Sequence, residues 1–177
     1  DLSISEIPEG RIIVDPGHES YWFLGDVHAD FIGLSSCIQY IRDKEKGTKP
    51  NIVLLGDLFD DGKEGLSVLF YVWKHINKDQ INLTVLLGNH DDALAWNEED
   101  EQFVASVQPC DFSEELNENY LKKKQSQGDK HICKFVQTCI DGFKKAPVAI
   151  FLPDGTMASH GGLPHNDLLE KINNRID

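Results

Sequence analysis

Three times between Tyr21 and Asp91, an apolar run stops at a glycine and is followed at once by carboxylate, amide or imidazole side chains. The runs are Tyr21–Leu24, Ile52–Leu55 and Leu83–Leu87. They lead into Gly25-Asp26-Val27-His28, Gly56-Asp57-Leu58-Phe59-Asp60 and Gly88-Asn89-His90-Asp91. Short apolar runs bounded by turn residues are expected as buried strands. Between them, Phe31, Leu34, Ile38 and Ile41, and then Leu66, Leu69, Phe70, Trp73 and Ile76, recur at helical spacing. Strand–helix–strand–helix–strand in succession predicts an α/β fold with right-handed crossovers and a largely parallel sheet. All three glycine-led motifs then lie on one sheet edge, the carboxyl edge where open α/β sheets hold their ligands.

A fourth motif follows after an interval. From Asp92 to Ala146 the periodicity loosens, with an acidic cluster at Glu98–Glu101 and a basic one at Lys122–Lys124. Residues 92–146 are expected as a helical insertion or lid-like segment with solvated charged faces. The alternative use of Lys122–Lys124 is recruitment of an acidic or phosphorylated substrate. Within this stretch Phe135, Cys139 and Phe143 regain helical spacing. Pro147 opens a strand at Val148–Leu152, Pro153-Asp154-Gly155 marks a turn, and Thr156–Ser159 returns to deliver His160-Gly161-Gly162. A further strand is expected at Arg11–Val14, with His18 and Glu19 in a solvated loop after Pro16-Gly17.

Collected on one edge are Asp26, His28, Asp57, Asp60, Asn89, His90 and His160. Carboxylate, imidazole and amide oxygen together can hold two divalent cations about 3.5–4 Å apart, the geometry of two-metal hydrolases. Asp57, on the central strand, is the natural bridge, because a carboxylate can offer an oxygen to each cation while offsetting charge. A water between two cations becomes hydroxide near neutral pH and can attack a phosphorus whose oxygens the metals polarise. A lone Gly-Asp is usually a turn and a lone His is usually satisfied structurally; recurrence at four strand ends argues against that reading of this set.

The rest of the composition narrows the partners. A net charge of −13 and a pI near 4.8 argue against nucleic acid. No apolar run approaches the ~20 residues of a membrane helix. The four cysteines (Cys37, Cys110, Cys133 and Cys139) form no CxxC pair, and are expected as reduced, mostly buried thiols of a cytoplasmic, intracellular protein. The chain opens at Asp1 without an initiator Met and ends inside a helical pattern, Leu168–Asp177, as a piece of a longer protein would.

The blocks Gly25-Asp26-Val27-His28-Ala29-Asp30, Gly56-Asp57-Leu58-Phe59-Asp60-Asp61-Gly62, Gly88-Asn89-His90-Asp91-Asp92 and Ser159-His160-Gly161-Gly162-Leu163-Pro164 resemble the signatures of calcineurin-like metallophosphoesterases. The His-Gly-Gly-Leu form, with the helix, Pro and hairpin before it, is most similar to PPP-type protein serine/threonine phosphatases. The resemblance implies a calcineurin-like sandwich built on a βαβαβ core and hydrolysis of phosphomonoesters by a metal-bridging hydroxide. It implies two metal ions (Mn, Fe or Zn), with Asp26 and His28 on the first, Asp57 bridging, and Asn89 and His160 on the second. His90 would protonate the leaving oxygen, oriented by Asp60. The resemblance starts near Phe23, runs to the end of the chain and is thinnest over 92–131.

Two departures qualify it. Where the family places a phosphate-gripping Arg after the dyad carboxylate, this chain has Asp61, which either points away or indicates a different substrate class; the only arginines are Arg11, Arg42 and Arg175. The family's further second-site His and second Arg have no counterpart before Asp177: His75, His131 and His165 lack the strand-end setting. The first site is therefore expected complete, the second short of a ligand, and part of the two-sheet core missing. Substrate-binding residues stay unassigned. A small-molecule or dinucleotide polyphosphate phosphoesterase, or a non-catalytic phosphatase-like module binding a partner through 92–145, are the competing readings.

Overall fold

A computed structural model describes residues 12–14, 20–76, 80–121 and 127–161, with the backbone alone described for 12–14, 120–121 and 127–133. Lys122–Lys124, His165, Arg11 and Arg175 lie outside the described residues, as do His18 and Glu19, and the side chains of His131 and Cys133 are not described.

The central sheet takes β2 (Trp22–Leu24), β3 (Asn51–Leu54) and β4 (Asn82–Val85) in the order β2-β3-β4, all parallel. Two helices make the crossovers, α1 (Phe31–Lys44) and α2 (Gly65–Ile76). The first is started by Asp30, whose side chain accepts the Gly33 N–H at 2.8 Å. Arg42 and Lys44 sit in its last turn, where the helix dipole favours cations. Successive strand residues face opposite sides of the sheet, and both sides are apolar on β3. Ile52 and Leu54 belong to the larger core with Leu34, Ile38, Ile41, Val68, Leu69 and Val72 from the two helices. Val53 faces the other way, into a smaller core with Leu86 and Ile150.

A second sheet runs β1-β7-β8, from β1 (Ile12–Val14), β7 (Ala149–Phe151) and β8 (Met157–Ser159). Strand β1 pairs parallel with β7, and β7 pairs antiparallel with β8. The turn between β7 and β8 is closed by Asp154, whose carboxylate accepts the Thr156 N–H at 2.8 Å. The Leu87 N–H donates to Pro147 O at 2.8 Å, so β7 starts beside the end of β4. The return along β8 therefore brings Ser159 and His160 back to the edge where β2, β3 and β4 end.

The helical face of α2 differs from the expected one. Its buried apolar residues are Val68, Leu69 and Val72, whereas Phe70 and Ile76 are exposed. The run Leu66–Trp73 is apolar almost all round, so periodicity alone leaves several faces open, and packing on α1 and β4 selects one. The stretch after Asp92 is also more than helical. It opens with an antiparallel hairpin, β5 (Leu94–Asn97) and β6 (Gln102–Ala105), held by the cross-strand pair Trp96–Phe103 at 4.9 Å between ring centroids. Glu98–Glu101 form its exposed tip, where Asn97 Oδ1 accepts the Glu99 and Asp100 N–H groups. Two helices follow, α4 (Asp111–Leu116) running into a π-helical turn at Asn117–Leu121, and α5 (Gln127–Phe143). Phe103, Phe112, Leu116, Val136, Ile140 and Phe143 join the larger core, so this segment is packed into the body of the protein.

Of the cysteines described, Cys139 is buried, Cys110 is half-buried and Cys37 is exposed, all as free thiols. The expected burial holds for Cys139 alone. Among the described residues no helix is long and apolar enough to cross a membrane.

Candidate active site

The loops after β2, β3 and β4 are tied to one another through the backbone of Asp57. Its carbonyl accepts the N–H groups of Val27 and His28 at 2.9 and 3.0 Å, and Leu58 O accepts that of Ala29 at 2.9 Å. These bonds hold the chain in a conformation that side chains disfavour: φ is +45° at His28, +55° at Ala29, +48° at Asp57 and +64° at Asp60. Each such residue costs on the order of 1–3 kcal/mol, which persists only where surrounding contacts over-determine it. Gly56 and Gly88 allow the close approach. A Cβ on Gly56, which has φ +108°, would meet Gly88 Cα at 2.7 Å, and one on Gly88 would overlap the Asp57 amide and carboxylate.

Within this frame, one donor atom each from Asp26, His28 and Asp57 lies within 4.8 Å of the others. His28 Nδ1 lies 3.3 Å from Phe59 O, a carbonyl that can only accept; Nδ1 therefore carries the proton and Nε2, 3.9 Å from Asp26 Oδ2, is left with its lone pair. From the other sheet, His160 Nε2 stands 3.0 Å from Asn89 Oδ1 and 3.3 Å from Asp57 Oδ2, while its Nδ1 is 3.7 Å from Asp26 Oδ1. Two carboxylates, two imidazoles and an amide oxygen thus converge around Asp57, whose side chain is nearly buried. Such a set, oxygen-rich with imidazole nitrogen, fits a divalent transition-metal ion.

Beside it, His90 Nδ1 donates to Asp60 Oδ2 at 2.8 Å, with both side chains buried. The His90 and His28 rings meet edge to face at 5.5 Å between centroids. Asp60 Oδ1 accepts the Phe112 N–H at 2.8 Å, so both carboxylate oxygens are occupied. All seven residues selected from the sequence are therefore brought together. Asp61, also at positive φ (+54°), is exposed. His75 is buried on α2 against Tyr71, away from the site.

Sequence reasoning passed over two contributors. Phe112 comes from a distant segment and carries no local signal. Asp91 stood inside the third motif without a role. Its carboxylate accepts the Leu58 N–H at 2.9 Å and the Gly88 N–H at 3.0 Å, and so bridges the loops after β3 and β4 at the start of the short helix α3 (Asn89–Ala93). Burial pushes its pKa up to about 6, against the lowering effect of those two amides, and the Asp57 charge adds to the rise. A carboxyl whose pKa is higher folded than unfolded stabilises the fold below the unfolded value and loses that contribution as the pH rises through the folded one. In metal-free protein, Asp91 should therefore titrate near pH 6 by carboxyl carbon NMR. Between about pH 4 and 6 its contribution should fall by on the order of 3 kcal/mol, and Asp91→Asn should flatten that part of the stability profile.

The sequence model of the calcineurin-like phosphoesterase family matches residues 20–176. Among solved structures, a protein serine/threonine phosphatase from Saccharomyces cerevisiae with similarity to human phosphatase PP5 is 22% identical, with a TM-score of 0.51 over 86% of this chain and 42% of that one. A candidate diadenosine tetraphosphatase is 19% identical, with a TM-score of 0.49 over 86% of this chain and 55% of that one. The chain thus spans about half the length of these solved structures. No curated protein matches it.

Proposed function

This chain belongs to the calcineurin-like phosphoesterase family, and on that premise we propose that it carries the catalytic site of a metal-dependent phosphomonoesterase acting on phosphoserine or phosphothreonine in proteins. The observation that carries the reading is the Asp26–His28–Asp57 donor cluster lying directly beside a buried His90–Asp60 pair. The protein-phosphatase assignment rests on the similarity of the Ser159–Pro164 block to that subgroup.

In this reading, residues 1–177 belong to one catalytic domain and 92–146 is an insertion within it. Asp26 and His28 would hold one cation, Asp57 would bridge, and Asn89 and His160 would hold the other, with Mn, Fe or Zn as candidates by donor chemistry. When bound, two such cations supply Lewis acidity to the phosphoryl oxygens and lower the pKa of water. The chain's own residues do the rest. His28 is kept in its Nε2-free tautomer by Phe59 O. His90 donates its Nδ1 proton to Asp60, which fixes the ring so that Nε2, when it too is protonated, can hand its proton to the leaving oxygen.

The test is hydrolysis of p-nitrophenyl phosphate with Mn²⁺. His90→Gln should lower kcat about 100-fold or more while KM changes little, since general acids contribute 10²–10⁴. Unchanged kcat would remove His90 from the chemistry. The second reading, a small-molecule or dinucleotide polyphosphate phosphoesterase, is favoured by Asp61 in place of a phosphate-gripping Arg. Relative rates on phosphopeptides and nucleotides separate the two. Metal content well below one ion per chain after Mn²⁺ addition would favour a non-catalytic binding module.

A further inference from the structure

The Asp60 carboxylate is buried, and its two oxygens are claimed from opposite directions: Oδ2 by His90 Nδ1 and Oδ1 by the backbone N–H of Phe112, both at 2.8 Å. The second partner belongs to α4, reached only after the β5–β6 hairpin. We propose that α4 is the positioning element of the acid–histidine pair, with the Phe112 amide locking the rotation of Asp60 and hence the tautomer and aim of His90. This rests on the assignment of His90 as the proton donor.

Four contacts of Phe112 and its helix fix the Phe112 amide where it is needed. Its ring stacks on Phe59 at 4.4 Å between centroids and 14° between planes. It also lies so close to Gly65 that a Cβ there would overlap it, seating α4 on the first residue of α2. One turn on, the Glu115 carboxylate accepts the backbone N–H groups of Leu66 and Gly65, capping α2 from outside. The far end of α4 is tied to β6 by Asn117, whose side chain both accepts from Phe103 N and donates to Phe103 O at 2.8 Å.

Phe59 joins the two halves of the site. Its carbonyl orients His28, its ring carries Phe112, and the next residue is Asp60. A carboxylate held at one oxygen can swing about its terminal torsion, which is broad for Asp. Held at both, it presents a single geometry to the imidazole.

Two substitutions at one residue separate the amide from the ring. Phe112→Leu keeps the N–H and loses the stacking; Phe112→Pro loses both, at a first-turn helix position where Pro is tolerated. In Mn²⁺-loaded protein, kcat for p-nitrophenyl phosphate should be about 10-fold or more lower in Phe112→Pro than in Phe112→Leu, with KM similar, as expected for a positioning defect. The hydrogen-bonded His90 Nδ1 proton, seen downfield by NMR, should persist in Phe112→Leu and be lost in Phe112→Pro. Equal kcat and an intact downfield proton in folded Phe112→Pro would overturn the proposal. A measurement independent of that variant is amide exchange in Asp60→Ala, where the Phe112 N–H should exchange about 10-fold or more faster than in the parent; unchanged exchange would overturn it equally. Absence of hydrolysis in the parent together with a normal downfield proton would count against the phosphoesterase reading, and the NMR and exchange results would still decide the role of Phe112.

Discussion

Asp57→Asn is expected to reduce Mn²⁺-dependent hydrolysis on the order of 10³-fold, because metal ions supply several kcal/mol of transition-state stabilisation and each 1.36 kcal/mol is tenfold in rate. Asp57 touches several parts of the site. Asp57 Oδ1 accepts the His90 N–H at 2.9 Å, Oδ2 faces His160 Nε2 at 3.3 Å, and its carbonyl receives two amides from the loop after β2. Asn keeps the carbonyl and one acceptor oxygen, so the loops should stay assembled. What it loses is the charge, and with it the proposed capacity to bridge two cations. Circular dichroism should be unchanged while Mn²⁺ content, measured by inductively coupled plasma analysis, drops. A variant that keeps both its metal and its activity would refute the assignment of Asp57 as the bridge.

The second large effect is expected from a single methyl group. Gly88→Ala places a Cβ against the Asp57 N, Oδ1 and Cα atoms. Most of these belong to a backbone already pinned by hydrogen bonds, so the clash cannot be relieved by rotating a flexible side chain. Overpacking of this kind costs about 1–3 kcal/mol. At roughly 2–4 °C per kcal/mol for a domain of this size, thermal unfolding should fall by several degrees. Mn²⁺ binding should weaken with it, because the displaced atoms carry the Asp57 carboxylate. A melting temperature within a degree of the parent, with full metal content, would show that the loops after β3 and β4 can separate without consequence.

These two predictions depend on different kinds of information. Asp57 was legible in the sequence, as the first polar residue after a buried strand and its glycine. The α/β class, the parallel β2-β3-β4 order and the convergence of Asp26, His28, Asn89, His90 and His160 follow from the same reading. The collision at Gly88 was not legible, since it depends on two loops more than 30 positions apart in the chain meeting backbone to backbone. The face of α2 was misread for a related reason. Leu66–Trp73 offers apolar residues on several sides, and only contact with α1, β4 and α4 decides that Val72 goes in and Phe70 stays out. The hairpin at Leu94–Ala105 was hidden by its acidic tip, which reads as a charge run until Trp96 and Phe103 are seen to pair across it.

By itself, then, the sequence determined the strand ends and the donor groups they carry. Alternation, helical period and the glycine after each strand are properties of a few adjacent residues, set by backbone sterics within reach of one another. Only the tertiary structure decided what holds those donors in place: the Asp57 carbonyl under the loop after β2, Asp91 between two loops, and Phe112 on the second oxygen of Asp60. Two of these three holders are backbone groups. A backbone N–H or carbonyl is the same in every residue that carries it, so no pattern of side chains announces which one will arrive.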